Sequence, residues 1–223
     1  MKKLIAVLMC AVLLFSLAAC SGGNGADDIE TTVSTTEAGT TKAETTEKPA
    51  ASISRGTIDG DVYTNDFAGF TFTKPAEWRF LTDKEISETI NIGQDILDLN
   101  ALEKTLSEKA TVYDMASQDE NGNSVMLCYE NTMLTALREV SLDEFEQSMK
   151  KNLASIEEIN YEFQSSENIK LGDTSFRKLL YTAEFDGYEM YQAYYIRIIG
   201  KYVITIILTS STEEIATMET MFS

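Results

Sequence analysis

The chain has 223 residues, which is enough for one domain of ordinary size with additional segments. It carries 36 acidic against 18 basic residues, a formal net charge of −18, and it contains no histidine. The lack of histidine excludes Ser-His-Asp and Cys-His catalysis and an imidazole zinc site. The acidic balance excludes nucleic acid as a favourable partner, because phosphate binding needs clustered Lys and Arg.

The N-terminus has the pattern of a bacterial secretion signal. Two lysines precede an apolar run over residues 4–17, which is shorter than the ~18–20 residues of a bilayer-spanning helix. The run leads into Leu-Ala-Ala-Cys at 17–20, which resembles the lipobox of bacterial lipoproteins. The resemblance implies that residues 1–19 are removed and that diacylglycerol on Cys20 anchors the protein in the membrane at its extracytoplasmic face. The alternative is an ordinary cleaved signal peptide.

Residues 20–55 are predicted to be the lipidated Cys followed by a disordered tether. Residues 21–55 contain no aromatic residue, no Leu and no Met, and Thr fills half of 31–46. Such a composition cannot bury enough apolar surface to offset the entropy lost on ordering. Its root-mean-square reach would be roughly 30 Å. Thr-rich tethers of this kind resemble those of Gram-positive surface lipoproteins.

Residues 56–223 are predicted to form one globular domain, since nearly all aromatic residues lie there. This part carries 13 basic against 30 acidic residues, a net charge of −17. Three helix starts are indicated by capping boxes, in which Ser or Thr is followed three residues later by Glu. These pairs are Thr82 with Glu85, Ser141 with Glu144, and Ser211 with Glu214. Apolar spacing predicts an amphipathic helix over 141–155, a closing helix after Ser211, and helix over 83–109 with a break at Gly93.

The strands are predicted between these helices. Asn121-Gly122 and Asp186-Gly187 are typical of type I′ hairpins, because both dipeptides tolerate positive φ. An earlier turn is predicted at Asn65-Asp66. Several late strands are apolar on both faces, which predicts a sheet covered on both sides. The last long section is predicted to be a meander of four strands over 161–170, 174–185, 188–199 and 202–209.

The segment 69–78 reads Gly-Phe-Thr-Phe-Thr-Lys-Pro-Ala-Glu-Trp, which resembles the strand–Pro–x–x–Trp opening of PsbP-like domains. The predicted order of elements is also similar to that group: a helix, a hairpin, an amphipathic helix, a four-strand meander and a closing helix. The resemblance implies an α+β fold, in which an antiparallel β-sheet is flanked by helices as an α/β/α sandwich. It implies no reaction, because members of the group mostly bind partners.

The candidate binding residues are mostly aromatic. Tyr and Trp combine apolar bulk with a polar tip, which suits recognition of a ligand or a protein. A ligand-binding groove would lie along residues 188–197, and Arg197 would supply the positive charge that binds an anionic group of the ligand. Packing of the same aromatic side chains in the sheet core is the alternative. The predicted ligand-binding set is Trp78, Tyr188, Tyr191, Tyr194, Tyr195 and Arg197.

No cofactor, metal site or catalytic residue is predicted. Four residues match positions 1, 3, 5 and 12 of a calcium loop, but Ser124 stands where that loop needs Gly, and a hairpin turn explains them better. The acidic surface is expected to bind calcium weakly, but the sequence does not identify a particular calcium site. Cys128 is predicted to be a small buried core residue. The four calcium-loop matches are Asp119, Asn121, Asn123 and Glu130.

These observations predict a membrane-anchored extracytoplasmic lipoprotein whose acidic domain binds a protein or a small ligand without catalysis. Its partners would be the lipid bilayer, through Cys20, and an envelope protein or small ligand. A role as an assembly or stability factor for an envelope or membrane complex is the alternative. A hydrolase that uses carboxylates is a third hypothesis, and it would need two acidic side chains about 5–10 Å apart.

Overall fold

The fold is described from a computed structural model of the chain, for residues 53–89, 102–109 and 111–223. The predicted signal peptide, Cys20, most of the predicted tether and Gly93 lie outside the described residues. Nothing in the described part is a helix with both the length and the apolar character to cross a membrane.

The described residues form ten strands and five helices. The strands are β1 (Thr57–Asp59), β2 (Val62–Asn65), β3 (Phe70–Thr73), β4 (Arg79–Phe80), β5 (Thr111–Gln118), β6 (Ser124–Asn131), β7 (Asn160–Leu171), β8 (Thr174–Phe185), β9 (Tyr188–Ile199) and β10 (Tyr202–Ser210). The helices are α1 (Asp83–Thr89), α2 (Leu102–Glu108), α3 (Thr132–Thr135), α4 (Leu142–Ala154) and α5 (Ile215–Glu219).

The main sheet has seven antiparallel strands in the order β4-β5-β6-β10-β9-β8-β7. A second sheet contains β1, β2 and β3, also antiparallel. The prediction of antiparallel sheet accompanied by helices is confirmed. The four-strand meander is also confirmed, and its strand bounds differ from the predicted ones by at most one residue. The division into two sheets was not predicted.

The two faces of the main sheet are covered by different elements. The first face, which carries Leu127, Tyr195 and Ile206, packs against the small sheet, α2 and α5. The second face, which carries Cys128 and Tyr194, packs against α1 and α4. Because apolar side chains are buried on both faces, β10 is buried at every position and shows no polar–apolar alternation.

The two predicted hairpin turns differ. Asp186 and Gly187 both have positive φ, 49° and 77°, as a type I′ turn requires. In the loop between β5 and β6 only Gly122 has positive φ, so the type I′ prediction is wrong there. The loop is longer than two residues because the Asp119 carboxylate accepts hydrogen bonds from the backbone N–H groups of Asn121 and Asn123, at 2.8 and 2.9 Å.

Two of the three predicted capping boxes are present. The Glu85 carboxylate accepts the Thr82 N–H at 2.8 Å, and Glu144 accepts the Ser141 N–H at 2.8 Å. Helix α4 then buries the apolar stripe predicted for it. The stripe residues that are fully enclosed are Phe145, Met149 and Leu153.

The third capping box is wrong, and α5 begins only at Ile215. The Ser211 N–H donates instead to Asn123 Oδ1 at 3.1 Å, which holds this residue at the β5–β6 loop. After α5 the chain becomes extended, and Ser223 exchanges two backbone hydrogen bonds with Thr71, at 2.7 and 2.9 Å. The closing helix is therefore short, and the residues after it pair with the small sheet.

The folded domain begins before the predicted boundary at residue 56. Ile53 is 8% exposed and belongs to the core of the first face. Arg55 forms ion pairs with Asp83 on α1 and with Asp114 on β5. The segment before residue 56 is therefore attached to the domain by an apolar side chain and by a charged one.

Candidate functional site

The predicted ligand-binding residues occupy separate parts of the fold. Trp78 is 6% exposed and lies in the core of the first face. Tyr194 and Tyr195 are adjacent on β9, so they point to opposite faces, and both are fully buried. Tyr188 is half exposed beside the Asp186-Gly187 turn.

Tyr191 and Arg197 lie on the first face and already have partners within the domain. The Tyr191 hydroxyl is 3.1 Å from a Glu189 carboxylate oxygen and 3.2 Å from one of Glu213, and the hydrogen bond with Glu189 raises the pKa of Tyr191 to about 12. Arg197 donates to the backbone oxygen of Ala68 at 2.9 Å. The six residues do not share one surface, and ligand binding by them stays a prediction.

A buried polar network on the first face attaches the start of the domain to the sheet. Asp114 lies at a β-bulge on β5, with its side chain fully buried. Its carboxylate accepts hydrogen bonds from Arg55 Nε at 2.8 Å, from the Gly56 N–H at 2.9 Å and from the Tyr63 hydroxyl at 2.5 Å. Burial, followed by the charge of Asp114, raises the pKa of Tyr63 well above its usual range.

Asn65 completes this network at the end of β2. Its side-chain amide donates to the Tyr63 and Tyr129 hydroxyls, at 2.7 and 2.6 Å, and its Oδ1 accepts the Ala68 N–H. Gly56 is required next to the network, because a Cβ at this position would lie 2.2 Å from the Tyr63 ring. The polar atoms of the network therefore bind each other and hold the two sheets together.

Two further acidic residues also connect elements of the fold: Glu146, which is buried, and Glu219, whose side chain is 16% exposed. Glu219 on α5 accepts hydrogen bonds from Tyr195 at 2.5 Å and from Lys178 at 2.6 Å, which ties α5 to β8 and β9. Glu146 on α4 pairs with Lys150 at 2.7 Å and with Arg177 on β8. These carboxylates are occupied by cations or hydroxyls, so the contacts assign them a role in packing.

Half of the exposed large apolar residues lie in one short segment. Within the described part of the chain, six large apolar side chains are at least 42% exposed. Three of them lie in residues 132–138, which we call the apolar loop: Met133 at 43%, Leu134 at 42% and Leu137 at 81%. Leu137 also has a φ of 58°, a left-handed conformation that costs an L-residue with a side chain about 1–2 kcal/mol.

The apolar loop is held at its start by hydrogen bonds to three elements. Asn131 caps α3, because its Oδ1 accepts the Met133 N–H at 3.1 Å. The amide of Asn131 donates to the Leu106 backbone oxygen on α2 at 2.7 Å. The Thr132 N–H and hydroxyl both donate to the Lys201 backbone oxygen at 3.0 Å, in the turn between β9 and β10.

The far end of the loop is held by an ion pair. Arg138 lies 2.9 Å from Glu144, the capping-box residue of α4. The hydrogen bond with Arg138 lowers the pKa of Glu144 to about 2, so this carboxylate is ionised under ordinary conditions. The loop therefore presents its apolar side chains from a backbone held at both ends, which reduces the ordering entropy that a partner would have to overcome.

One buried acidic side chain lies beneath the apolar loop. Glu130 is 4% exposed on the second face, and its carboxyl accepts a hydrogen bond from the Thr135 hydroxyl at 2.7 Å. No Lys or Arg among the described residues forms an ion pair with it. Burial raises the pKa of Glu130 to about 7, the opposite direction from the shift at Glu144.

The calcium-loop matches are not brought together. Asp119 and Asn123 lie in the loop before β6, whereas Glu130 lies near the opposite end of that strand. Among the described residues no three or more acidic or Cys side chains form a group that would hold a metal ion. Cys128 is buried in the core of the second face, as predicted.

Sequence reasoning missed both the apolar loop and Glu130. Met133, Leu134 and Leu137 recur at i, i+1 and i+4, a spacing typical of the buried side of a helix. In the structure Met133 and Leu134 lie within the short helix α3 and Leu137 lies after it, and all three side chains are outside the core. Glu130 was considered only as position 12 of a calcium loop, and its burial after five buried residues on β6 was not predicted.

Comparison of the sequence with protein-family models gives no match, and comparison with curated proteins gives none either. A structural neighbour is the cyanobacterial PsbP protein (CyanoP) of Synechocystis sp. PCC 6803, known from its solution structure. The match has a TM-score of 0.43 and 13% sequence identity, and it covers 81% of this chain and 99% of that chain. No residue role is carried from that protein to this chain.

Proposed function

We propose that this chain is a membrane-anchored extracytoplasmic lipoprotein whose acidic, PsbP-like domain binds another protein without catalysis, through the apolar loop. The lipobox sequence ending at Cys20 supports the anchor, and the Thr-rich composition of 20–55 supports a spacer. The order of the hairpin, the amphipathic helix, the meander and the closing helix supports the α/β/α sandwich of a PsbP-like domain.

The single observation that carries the binding role is Leu137. An apolar side chain that is 81% exposed gains little from burial, while the left-handed backbone is unfavourable for a Leu residue. Strain of this kind clusters at binding and switch regions. Full burial of a Leu or Met side chain against a partner is worth about 1.5–3 kcal/mol, so burial of the three loop residues would contribute favourably to an interface.

The charge of the domain defines the chemistry of the partner. Residues 56–223 carry −17, so a second copy of the chain and an anionic bilayer are both repelled. A protein with an apolar pocket and a basic rim is attracted by the same field, which also speeds its association. We therefore propose that the apolar loop binds in an apolar pocket with a basic rim, on the surface of an envelope protein.

Photo-crosslinking in intact cells tests this assignment. A benzophenone amino acid replaces Leu137 in one variant of the full chain and Ile58 in another, because Ile58 is an exposed apolar residue on β1 of the small sheet. We expect one protein adduct at position 137, with none at position 58, and loss of the adduct when Met133 and Leu134 are changed to Ser. Equal adducts at both positions, an adduct only with lipid, or an adduct only with a second copy would contradict the proposal.

Labelling with a radioactive fatty acid tests the anchor. Cys20→Ala should remove the label, whereas Cys128→Ala should retain it, because Cys128 is buried in the folded core. Label that persists in Cys20→Ala would refute lipidation at Cys20, and the result is independent of the crosslinking experiment.

A further inference from the structure

We propose that Glu130 is a proton-dependent latch that tightens the apolar loop in acid and loosens it as the pH rises. The inference rests on the proposed function of the loop, because it names a regulator of that binding surface. The neutral carboxyl remains buried and hydrogen-bonded to Thr135. Loss of the proton creates a buried carboxylate, which is stabilised by contact with water and therefore favours conformations in which residues 135–138 lift away.

The geometry places the latch at the point where the loop changes direction. Thr135 is the last residue of α3, and Leu137 with its positive φ follows two residues later. The start of the loop and Arg138 have their own polar contacts. In the middle of the loop, the Thr135 hydroxyl donates to Glu130 at 2.7 Å and lies 3.5 Å from the Asn131 backbone oxygen, and Ala136 packs against the core of the second face. The Thr135 hydroxyl can donate to the ionised carboxylate as well as to the neutral carboxyl, so opening is favoured by the burial of the charge and not by loss of this hydrogen bond.

The groups around Glu130 do not neutralise a carboxylate. Its neighbours across the sheet are Thr111 on β5 and Val203 on β10, and β10 contains no charged residue. Asp114 of β5 and the charged residues of α2 lie on the first face, opposite Glu130. Three cations lie close to Glu130 along the chain or across the sheet, and each has a contact of its own: Arg138 pairs with Glu144, the Lys201 ammonium lies 5.2 Å from the Tyr202 ring centroid, and Lys109, two residues before Thr111, also interacts within the fold.

The direction of the pH effect follows from proton linkage. Burial raises the pKa of Glu130 to about 7 in the closed loop, whereas an opened, hydrated carboxyl has its ordinary value of 4.5. The closed loop therefore binds more protons than the open loop between these two values. Opening becomes more favourable as the pH rises through this window, and the effect levels off above about pH 7.

Hydrogen–deuterium exchange of the full chain, without any partner, tests the latch. After correction for the intrinsic pH dependence of exchange, protection of amides 133–138 should fall by more than about tenfold between about pH 5 and pH 7, since one pKa unit corresponds to a factor of ten. Peptides from β10 report whether the core is unaffected. Glu130→Gln should abolish the pH dependence, and Glu139→Gln, which removes an exposed carboxylate nearby, should leave it unchanged.

The outcomes separate this inference from the proposed function. Protection that does not change with pH, or a change that persists in Glu130→Gln, overturns the latch. Thr135→Val provides a second test, because it removes the hydrogen bond and keeps the carboxyl; it should lower protection at about pH 5 towards the value at pH 7. The crosslinking experiment is performed at a fixed pH of about 6, so failure of partner binding does not alter the exchange result.

Discussion

Replacing Glu130 by Gln should stabilise the domain at neutral pH and leave its stability nearly unchanged in acid. Gln has the shape of the protonated carboxyl and still accepts a hydrogen bond from Thr135, but it cannot ionise. The wild-type carboxyl is 4% exposed, so its charge is unfavourable in the folded state. The variant therefore isolates the free energy of one buried charge.

The magnitude follows from the pKa of Glu130, which burial raises from 4.5 to about 7. At 1.36 kcal/mol per pKa unit this shift corresponds to about 3 kcal/mol. The folded state binds more protons than the unfolded state between these values, so the wild-type free energy of unfolding falls as the pH rises through this window and levels off above it. The advantage of Glu130→Gln should grow from near zero at about pH 4.5 to about 3 kcal/mol above pH 7.

Urea denaturation followed by the fluorescence of Trp78 provides the assay, because this buried residue is the only Trp. With a slope of about 1–3 kcal/mol per molar urea, the midpoint should rise by about 1–3 M at pH 8 and by much less at pH 5. Glu139→Gln is the control, since it makes the same charge change on an exposed side chain. The reasoning is refuted when Glu130→Gln shifts the midpoint equally at both pH values, or when Glu139→Gln reproduces its pH dependence.

Three further substitutions test the structure by thermal or urea denaturation. Asp114→Ala leaves the Tyr63 hydroxyl and the Gly56 N–H without their buried acceptor, while Arg55 keeps its pair with Asp83, so it should cost about 1–3 kcal/mol, and an unchanged midpoint would contradict the network. Gly56→Ala forces a methyl group against the Tyr63 ring and should cost about 1–3 kcal/mol. An unchanged midpoint would show that the methyl group fits beside the Tyr63 ring. Leu137→Gly should be neutral or slightly stabilising, because relief of about 1–2 kcal/mol of strain offsets the entropy of Gly, and a clear loss of stability would show that Leu137 packs within the domain.

The local elements were predictable where the residues that define them are neighbours in sequence. The meander follows from apolar strands separated by Gly-containing turns, and the capping box at Ser141 begins α4 as predicted. The capping box at Ser211 failed because Asn123 lies beside it in the folded protein and accepts its N–H. A sequence pattern cannot register a competitor that is 88 residues away.

The candidate site was less predictable because burial decides the role of each aromatic residue. The sequence does not distinguish Tyr194 and Tyr195 from Tyr188, since all three are Tyr residues on the same strand. In the structure Tyr194 and Tyr195 are buried on opposite faces of the sheet, while Tyr188 is half exposed. Conversely, the apolar loop has the spacing of a buried helix but lies outside the core. The features that distinguish it, the end of α3 at Thr135 and the positive φ of Leu137, depend on tertiary structure.

The arginine residues sharpen the chemistry expected of a partner. Arg binds carboxylates and phosphates better than Lys because its planar fork makes two parallel hydrogen bonds. All five Arg of the chain already contact acidic or backbone oxygens of the domain, so an anionic ligand would compete with an internal contact at each of them. Together with the charge of −17, this arrangement opposes anion recognition and favours a partner that supplies the basic groups itself. The five are Arg55, Arg79, Arg138, Arg177 and Arg197.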